Sequence, residues 1–317
     1  MKSNRSFICF FLFISSIEII HTNDQIYPWL NLPSTPSLPH PNQGHFLQLT
    51  NHRLWYNICG QSIHSPVLFL HGGLANSDYW SLQIQELQID FQCIVMDSRG
   101  HGRSSSLSSS SESISYELMT SDVIALLDYL HLDKVHVIGW SDGANVGLHL
   151  GMNYSHRLFS LFIFGANYKA GEDNQSIPPL FLTYLQRVEV EYKKSHSNEE
   201  YEILFDKLLT MWHQSPNWTK VDLEKIPSDL LIWIVSGDRD EVIPREQTET
   251  IFKWLPQSGQ LTLPRTSHFA FLQDSQMFNL VLRKFLNQNR NSSTNGSTIL
   301  TRSLNLLSFI FLFRLIF

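Results

Sequence analysis

Residues 135–154 read VHVIGWSDGANVGLHLGMNY and contain the most informative local pattern of the chain. The apolar run Val135–Trp140 predicts a buried strand, and the apolar residues of Asn145–Tyr154 recur at helical spacing. Between them lies the G-x-S-x-G sequence 139–143, which is centred on Ser141. A tight strand-to-helix turn exposes a serine hydroxyl above a sheet and requires small residues on both sides. The stretch therefore predicts a nucleophilic serine; the alternative is a chance match to five residues.

Short apolar runs alternate with helical patterns along the rest of the chain. Runs of this length are typical of parallel strands buried on both faces. An antiparallel hairpin is predicted first, where His45–Thr50 and Arg53–Cys59 flank a tight turn. The other predicted elements are the strands Pro66–Leu70, Gln92–Met96, Leu158–Phe164, Leu231–Ser236 and Gln260–Leu263 and the helices Met119–Leu130 and Asp274–Leu286. We expect one α/β domain with a doubly wound, mostly parallel sheet.

One segment interrupts this alternation. Residues 167–228 form a helical block with predicted helices at Leu180–Tyr192 and Glu199–Trp212. An insertion at this point is expected to act as a lid over the carboxyl edge of the sheet, where ligands bind in such folds. The alternative is a packing decoration without a gating role. The insertion divides the predicted core into residues 45–166 and 229–288.

Both ends of the chain are predicted to lie outside the folded domain. Residues 1–22 have the charged start and apolar run of a signal peptide, and the five prolines of 23–44 indicate an extended leader without structure of its own. Residues 289–317 are a polar spacer and an apolar tail that resemble a glycosylphosphatidylinositol-anchor signal. The alternatives for the tail are a marginal transmembrane helix and a segment without function.

These ends predict a secreted or cell-surface glycoprotein that contacts the membrane only through the lipid anchor. N-glycosylation sequons agree with this expectation and stand at Asn153, Asn174, Asn217, Asn291 and Asn295. Release from cells by a phosphatidylinositol-specific phospholipase would test the anchor. After removal of the signal peptide, Cys59 and Cys93 remain, either as one disulfide or as two unrelated buried thiols.

Composition excludes several function classes. The chain has 317 residues, of which 43% are hydrophobic and 16% charged, so it can bury a large core. Its net charge of -6 is spread without a basic block, which argues against nucleic acid as a partner. Neither HExxH nor CxxC occurs, so no metal site is predicted. No pattern indicates an oligomeric state.

Together with the serine turn, four further motifs resemble those of the α/β-hydrolase family, over residues 45–286. These motifs are His71-Gly72-Gly73, the D-x-R-G-x-G-x-S turn of 97–104, Gly237-Asp238-Arg239-Asp240 and Ser267-His268-Phe269. Their serine, aspartate, histidine order is the one this fold uses. The resemblance implies a serine hydrolase for small ester substrates that needs no cofactor. It also places Cys59 close to Cys93, which favours the disulfide.

The resemblance assigns a catalytic triad. A serine hydroxyl is a poor nucleophile until an imidazole removes its proton, so Ser141 requires His268 as general base. A buried carboxylate must then fix the tautomer of the histidine and stabilise the imidazolium. Asp240 is the expected acid, and Asp238 is its rival.

Backbone donors are expected to stabilise the oxyanion of the tetrahedral intermediate. The resemblance assigns these donors to the N–H groups of Gly73 and Asp142. The N–H of Leu74 is a lesser alternative to that of Gly73. The N-terminus of the helix after the serine adds positive potential at this point.

The substrate is predicted from the residues beside the serine. Trp140-Ser141-Asp142 and Phe164-Gly165-Ala166-Asn167 resemble the biphenyl-hydrolase-like branch, which includes the valacyclovir-activating hydrolase. In that branch an acidic residue is associated with α-amino acid esters, so Asp142 and Trp140 are expected to contact the substrate. The alternative is that Asp142 supplies only its backbone N–H.

Two other functions remain open. A lipase or carboxylesterase for simple acyl esters would use the insertion's aromatic residues Phe181, Tyr184 and Trp212 as an acyl pocket. A non-catalytic recognition module on the same fold is the third hypothesis, although such modules typically lose triad residues.

Overall fold

The computed structural model describes residues 27–107, 113–171 and 177–288. The predicted signal peptide and the predicted C-terminal spacer and tail lie outside the described residues. Within the described ranges, no helix combines the length and the apolar character that a membrane span requires.

A single sheet organises the described part of the chain. Its strands are β1 His45–Gln48, β2 Arg53–Cys59, β3 Pro66–Leu70, β4 Gln92–Met96, β5 Val135–Trp140, β6 Leu158–Phe164, β7 Leu231–Gly237 and β8 Gly259–Leu263. They lie in the order β1-β2-β4-β3-β5-β6-β7-β8. The β1–β2 and β2–β4 pairs are antiparallel and the others are parallel. The predicted doubly wound, mostly parallel α/β fold is confirmed.

Helices cover the sheet. They are α1 Ser81–Leu87, α2 Tyr116–Tyr129, α3 Asp142–Tyr154, α4 Pro179–Tyr192, α5 Asn198–Gln214, α6 Lys220–Leu223, α7 Arg245–Trp254, α8 Ala270–Gln273 and a helical run over 275–288 that we call α9. Helix α3 packs on β5 and β6, which places the residues after β5 over the centre of the sheet. The sequence did not predict α1, α7 or the four-residue helices α6 and α8. Helix α7 gave little apolar signal because only Thr248 and Ile251 of its residues are buried.

The segment between β6 and β7 is helical, with α4 and α5 near the predicted positions and the short helix α6, which was not predicted. Side-chain capping defines the start of α5, where Ser197 and Glu200 form a reciprocal capping box. Tyr184 of α4 is 2% exposed, and its ring packs against Trp140 and Phe269. The insertion is therefore joined to the core directly above the carboxyl end of β5.

The prediction of a leader without structure of its own is wrong for residues 27–44. This stretch lies against the domain with Leu32 and Leu38 buried. Arg187 of α4 donates a hydrogen bond to the Leu32 carbonyl at 2.8 Å, and the guanidinium of Arg239 lies over the ring of Trp29. Extended, proline-rich backbone leaves its carbonyls unpaired, and here donors from distant elements bind them.

Leu38→Ala is expected to lower the melting temperature by about 5 °C, because emptying a buried leucine site costs about 2–3 kcal/mol. Leu30→Ala is the matched control, since Leu30 lies in the same segment and is 60% exposed. Thermal unfolding followed by calorimetry measures both. Equal melting temperatures for the two variants would show that the leader does not contribute to the folded state.

The disulfide expected between Cys59 and Cys93 is absent: both residues are buried, free thiols. They are directly opposite each other in the β2–β4 pair. However, Cys59 Sγ donates to the Pro39 carbonyl at 3.7 Å and Cys93 Sγ to the Phe91 carbonyl at 3.9 Å. The two thiols thus have separate acceptors, one of them supplied by the leader.

Candidate active site

The turn between β5 and α3 places Ser141 at the carboxyl end of the central strand. Its backbone has φ 55° and ψ -119°, a conformation that is costly for a residue with a Cβ. The Ser141 N–H donates to the Phe164 carbonyl at 2.9 Å, which ties the turn to β6. A Cβ on Gly139 would lie 2.4 Å from the Gly143 carbonyl oxygen, and one on Gly143 would lie 2.2 Å from that of Leu70. Close backbone packing therefore requires both glycines of the motif.

The structure brings Asp240 and His268 together. Asp240 follows β7, His268 follows β8, and Asp240 Oδ2 lies 3.0 Å from His268 Nδ1 with both side chains buried. The other carboxylate oxygen accepts the N–H groups of Val242 and Ile243 at 3.0 and 2.8 Å, which fixes its orientation. The rival acid, Asp238, accepts the Thr266 N–H at 3.2 Å and makes no contact with the imidazole among the described residues.

The second ring nitrogen of the histidine, Nε2, is not used in the contact with Asp240. Within the described residues His268 Nε2 is buried and has no hydrogen-bond partner. Ser141 and His268 line the same cavity. Gly165, which has φ 65°, lies beneath the ring, and a Cβ there would come within 2.7 Å of His268 Cε1. The histidine is thus confined to an orientation in which Nδ1 binds the carboxylate and Nε2 is available to a serine hydroxyl.

Opposing effects act on the pKa of His268. Burial lowers it, but the charge and hydrogen bond of Asp240 and the nearby charges of Glu241 and Asp142 raise it. The net result is a pKa above the ordinary value of 6.5. The imidazole is a stronger base than a free histidine and loses its proton at a higher pH.

Free backbone donors lie in the loop after β3 and at the start of α3. Within the described residues the N–H groups of Gly73, Leu74 and Asp142 have no acceptor. Gly73 and Asp142 border the cavity, whereas Leu74 is buried and does not. Gly73 and Asp142 therefore remain the candidates for the oxyanion donors. The hydroxyl of Tyr184 donates to the Gly73 carbonyl at 2.6 Å and holds this loop in position.

The D-x-R-G-x-G-x-S turn is structural. The Asp97 carboxylate is buried, accepts the Ser77 N–H at 2.8 Å and pairs with Arg103 Nε at 2.7 Å. His71 Nε2 accepts the Ser98 N–H at 2.9 Å, so this turn supports the loop that carries Gly73.

The carboxylate of Asp142 is buried beside the predicted nucleophile, with 7% of the residue exposed. It accepts hydrogen bonds from the Tyr116 hydroxyl at 2.8 Å and from Trp212 Nε1 at 2.8 Å. Both donors are neutral, and no Lys or Arg pairs with Asp142 within the described ranges. Burial raises its pKa. The carboxylate fits here because Gly73 has no side chain: a Cβ at Gly73 would lie 2.4 Å from Asp142 Oδ2.

A cavity of about 490 Å³ surrounds these groups. The core contributes Gly73, Trp140, Ser141, Asp142 and His268 to its wall, and the insertion contributes Ile177, Phe181, Tyr184, Leu209 and Trp212. The loop after Asp240 completes it with residues 241–244. The volume is that of a site for a small organic molecule.

The side chain of Trp140, which was expected to contact the substrate, is almost fully buried. It borders the cavity, but it is only 1% exposed. Its ring packs against Tyr184, Phe271 and His268, with a centroid separation of 5.8 Å from the imidazole. Trp140 therefore supports the histidine and contributes little surface to a ligand.

Sequence reasoning missed Tyr116 and Glu241 and assigned Trp212 only to an acyl pocket. Tyr116 and Trp212 reach Asp142 across 26 and 70 residues, and no local pattern predicts such contacts. Glu241 did have a signal, since it directly follows the predicted acid. Phe181 and Tyr184 line the cavity as expected of the insertion's aromatic residues.

Comparison with known proteins gives consistent matches. A family model described as alpha/beta hydrolase fold matches residues 65–189. The chain is 32% identical over 105 residues to a putative carbamate hydrolase RutD of Caulobacter sp. (strain K31), which covers 33% of this chain and 38% of that protein. It is 25% identical over 244 residues to the serine hydrolase BPHL of Homo sapiens, covering 74% of this chain and 83% of that protein.

Solved structures show the same fold. A hydrolase from Pseudomonas aeruginosa PA01 aligns with a TM-score of 0.64 and 20% identity, over 77% of this chain and 98% of that one. The similarity to RutD spans less than half of that relative, whereas the similarities to BPHL and to the solved hydrolase span most of theirs. From the sheet order, the match to the family model and these relatives, we conclude that the chain has the α/β-hydrolase fold and is similar to hydrolases over most of its length.

Proposed function

We propose that this protein is a serine esterase that hydrolyses α-amino acid esters through an acyl-enzyme intermediate. The observation that carries the proposal is the buried Asp142 carboxylate, which borders the cavity next to Ser141 and forms no ion pair with a Lys or Arg among the described residues. A buried charge is normally paired, and the ammonium group of a substrate would supply the missing cation.

The chemistry follows from the positions of the side chains. His268 Nε2 removes the proton of Ser141 Oγ as the oxygen attacks the ester carbonyl. The carbonyl oxygen becomes an oxyanion that the N–H groups of Gly73 and Asp142 stabilise. The imidazolium, paired with Asp240, then gives its proton to the departing alcohol.

Deacylation repeats these steps with water. His268 removes a proton from a water molecule, whose oxygen attacks the acyl-enzyme carbonyl. The second tetrahedral intermediate uses the same backbone donors. Its collapse returns the proton from His268 to Ser141 Oγ and releases the carboxylic acid.

Recognition of the amine fits the hydrogen bonding of Asp142. Tyr116 and Trp212 occupy part of the lone-pair capacity of the carboxylate and leave room for a further donor. A hydrogen bond between an ammonium and a carboxylate contributes about 1.5–3 kcal/mol, which corresponds to about 10- to 150-fold in kcat/KM. This contribution requires an ionised Asp142, so the preference for amino esters is expected to weaken as the pH falls.

A carboxylesterase for simple acyl esters is the second candidate. The apolar wall formed by Ile177, Phe181 and Leu209 favours it, because such a surface accepts an acyl chain without an amine. The two functions use the same triad and differ in the dependence of the rate on Asp142.

Asp142→Asn is expected to lower kcat/KM for a valine ester by about 10- to 100-fold and for the matching 3-methylbutanoate ester by only a few-fold. Asparagine retains an acceptor for Trp212 and Tyr116, so the loss reports the charge. Steady-state hydrolysis of the two esters by both proteins measures the effect. Equal cleavage of the two esters by the wild type would favour the simple esterase, and an equal loss on both would remove the amine-binding role.

A further inference from the structure

Two consecutive acids contact the same histidine. Asp240 binds the ring at Nδ1, while Glu241 Oε2 accepts the backbone N–H of His268 at 3.3 Å. The other carboxylate oxygen, Glu241 Oε1, is buried and has no hydrogen-bond partner among the described residues. Glu241 also borders the cavity. The histidine is thus held by a carboxylate at its side chain and by a second one at its main chain.

The Glu241 carboxylate acts on His268 through space as well as through this hydrogen bond. The carboxylates that influence the imidazole are Asp240 and Glu241 from the loop after β7 and Asp142 from the start of α3. Lys169 and His213 border the cavity as basic groups. Burial and the neighbouring Asp240 charge raise the pKa of Glu241, so its own charge is costly here. Glu241 is costly to ionise, and it lies next to His268, which must become a cation during the reaction. This combination indicates that Glu241 influences the proton transfer by His268.

We propose that Glu241 is a positioning residue that fixes the main chain of His268 and, through its negative charge, stabilises the imidazolium, thereby setting the lower pH limit of activity. This inference rests on the proposed function, since it requires His268 to act as the general base. It assigns to Glu241 a role distinct from that of Asp240: Asp240 selects the tautomer and has the larger effect on the charge of the ring, whereas Glu241 holds the main chain of His268 and adds a second negative charge.

The direction of the effect follows from the charges. The enzyme works when His268 is neutral, so the rate rises with pH through the histidine pKa. A negative neighbour favours the imidazolium and raises that pKa. Glu241→Gln removes the charge and retains an acceptor for the His268 N–H. The acidic limb of the pH–rate profile should therefore move to lower pH by about 0.5–1 unit. The weaker base should also lower the plateau rate at high pH.

The rate of Ser141 labelling by a fluorophosphonate, measured from pH 5 to 9, tests the inference without a choice of ester. We expect the acidic limb of the pH–rate profile of Glu241→Gln to move to lower pH. The variant should then label faster than the wild type at the acidic end of the range and more slowly at the alkaline end. Glu246→Gln, an equal charge change at an exposed position of α7, should leave the profile unchanged. Glu241→Ala should show the same shift with a further loss of rate at every pH, because it also lacks the acceptor.

The outcomes separate this inference from the proposed function. A wild-type protein that does not label would overturn the serine hydrolase mechanism itself. If wild type and Glu241→Gln both label and the acidic limbs of their pH–rate profiles coincide, the role of Glu241 would be overturned and the mechanism would stand. Thermal unfolding of each variant checks that the compared proteins are folded. A shift of equal size in Glu246→Gln would mean that the effect is one of net charge and not of this contact.

Discussion

Ser141→Ala is expected to abolish ester hydrolysis, with a loss in kcat of about 10⁴-fold or more. The variant lacks the oxygen that attacks the carbonyl, so neither acyl-enzyme nor fluorophosphonate adduct can form at this position. The strained backbone at φ 55° is set by the flanking glycines and by the hydrogen bond to β6, so alanine should adopt it with little change in melting temperature. Hydrolysis of the valine ester and gel detection of a fluorescent fluorophosphonate provide two independent measurements.

Ser121→Ala is a suitable control, because Ser121 is exposed on α2 and its hydroxyl donates to the Glu117 carbonyl within its own helix. It should label and turn over as the wild type does. If the Ser141 variant still labelled at the wild-type rate, another residue would be the nucleophile. If the wild type itself neither labelled nor hydrolysed esters, the recognition module on this fold would become the favoured function.

The fold was predictable where local sequence determines structure. The strand, turn and helix around Ser141 were predicted to within a few residues, because the apolar run and the G-x-S-x-G pattern are local signals, although the contact that requires Gly143 comes from Leu70 of β3. The core strands were equally clear, since strands buried on both faces are apolar throughout. Helix α7 was missed because it buries too few residues to show an apolar stripe.

The leader was misjudged for a different reason. Its prolines correctly indicated extended backbone, but its partners are supplied by Arg187 of α4 and Arg239 of the acid loop, more than 140 residues away. Such contacts depend on the tertiary arrangement and leave no pattern in the leader itself. The same holds for the cysteine pair, whose adjacency was anticipated but whose side chains have separate acceptors.

The candidate site also has a part that the sequence predicts and a part that it does not. The members of the predicted triad each follow a strand, and the carboxyl ends of parallel strands meet at one edge of the sheet, so motif order was sufficient to bring them together. The surroundings of Asp142 were not predictable, since Tyr116 and Trp212 come from elements on either side of α3 in sequence. These donors change the interpretation of Asp142, because they bury its carboxylate at the cavity wall rather than exposing it to solvent.

The second large effect concerns the acid of the triad. Asp240→Asn is expected to lower kcat by about 10³- to 10⁴-fold, because an amide beside Nδ1 no longer fixes the productive tautomer or stabilises the imidazolium. The Val242 and Ile243 N–H groups can still bind the asparagine oxygen, so the loop should keep its conformation. The loss should therefore appear in kcat, with little change in melting temperature.

Asp238→Asn is the matched comparison, since it makes the same chemical change two residues earlier. Its side chain is 32% exposed, against 4% for Asp240, and its contact with the Thr266 N–H needs only an acceptor, which asparagine retains. We expect a change in kcat of no more than a few-fold. Because the two aspartates share one turn, a nonspecific disturbance of that turn would reduce both rates alike. A loss for Asp238→Asn as large as that for Asp240→Asn would therefore remove the assignment of Asp240 as the partner of His268, and a loss confined to Asp240 would support it.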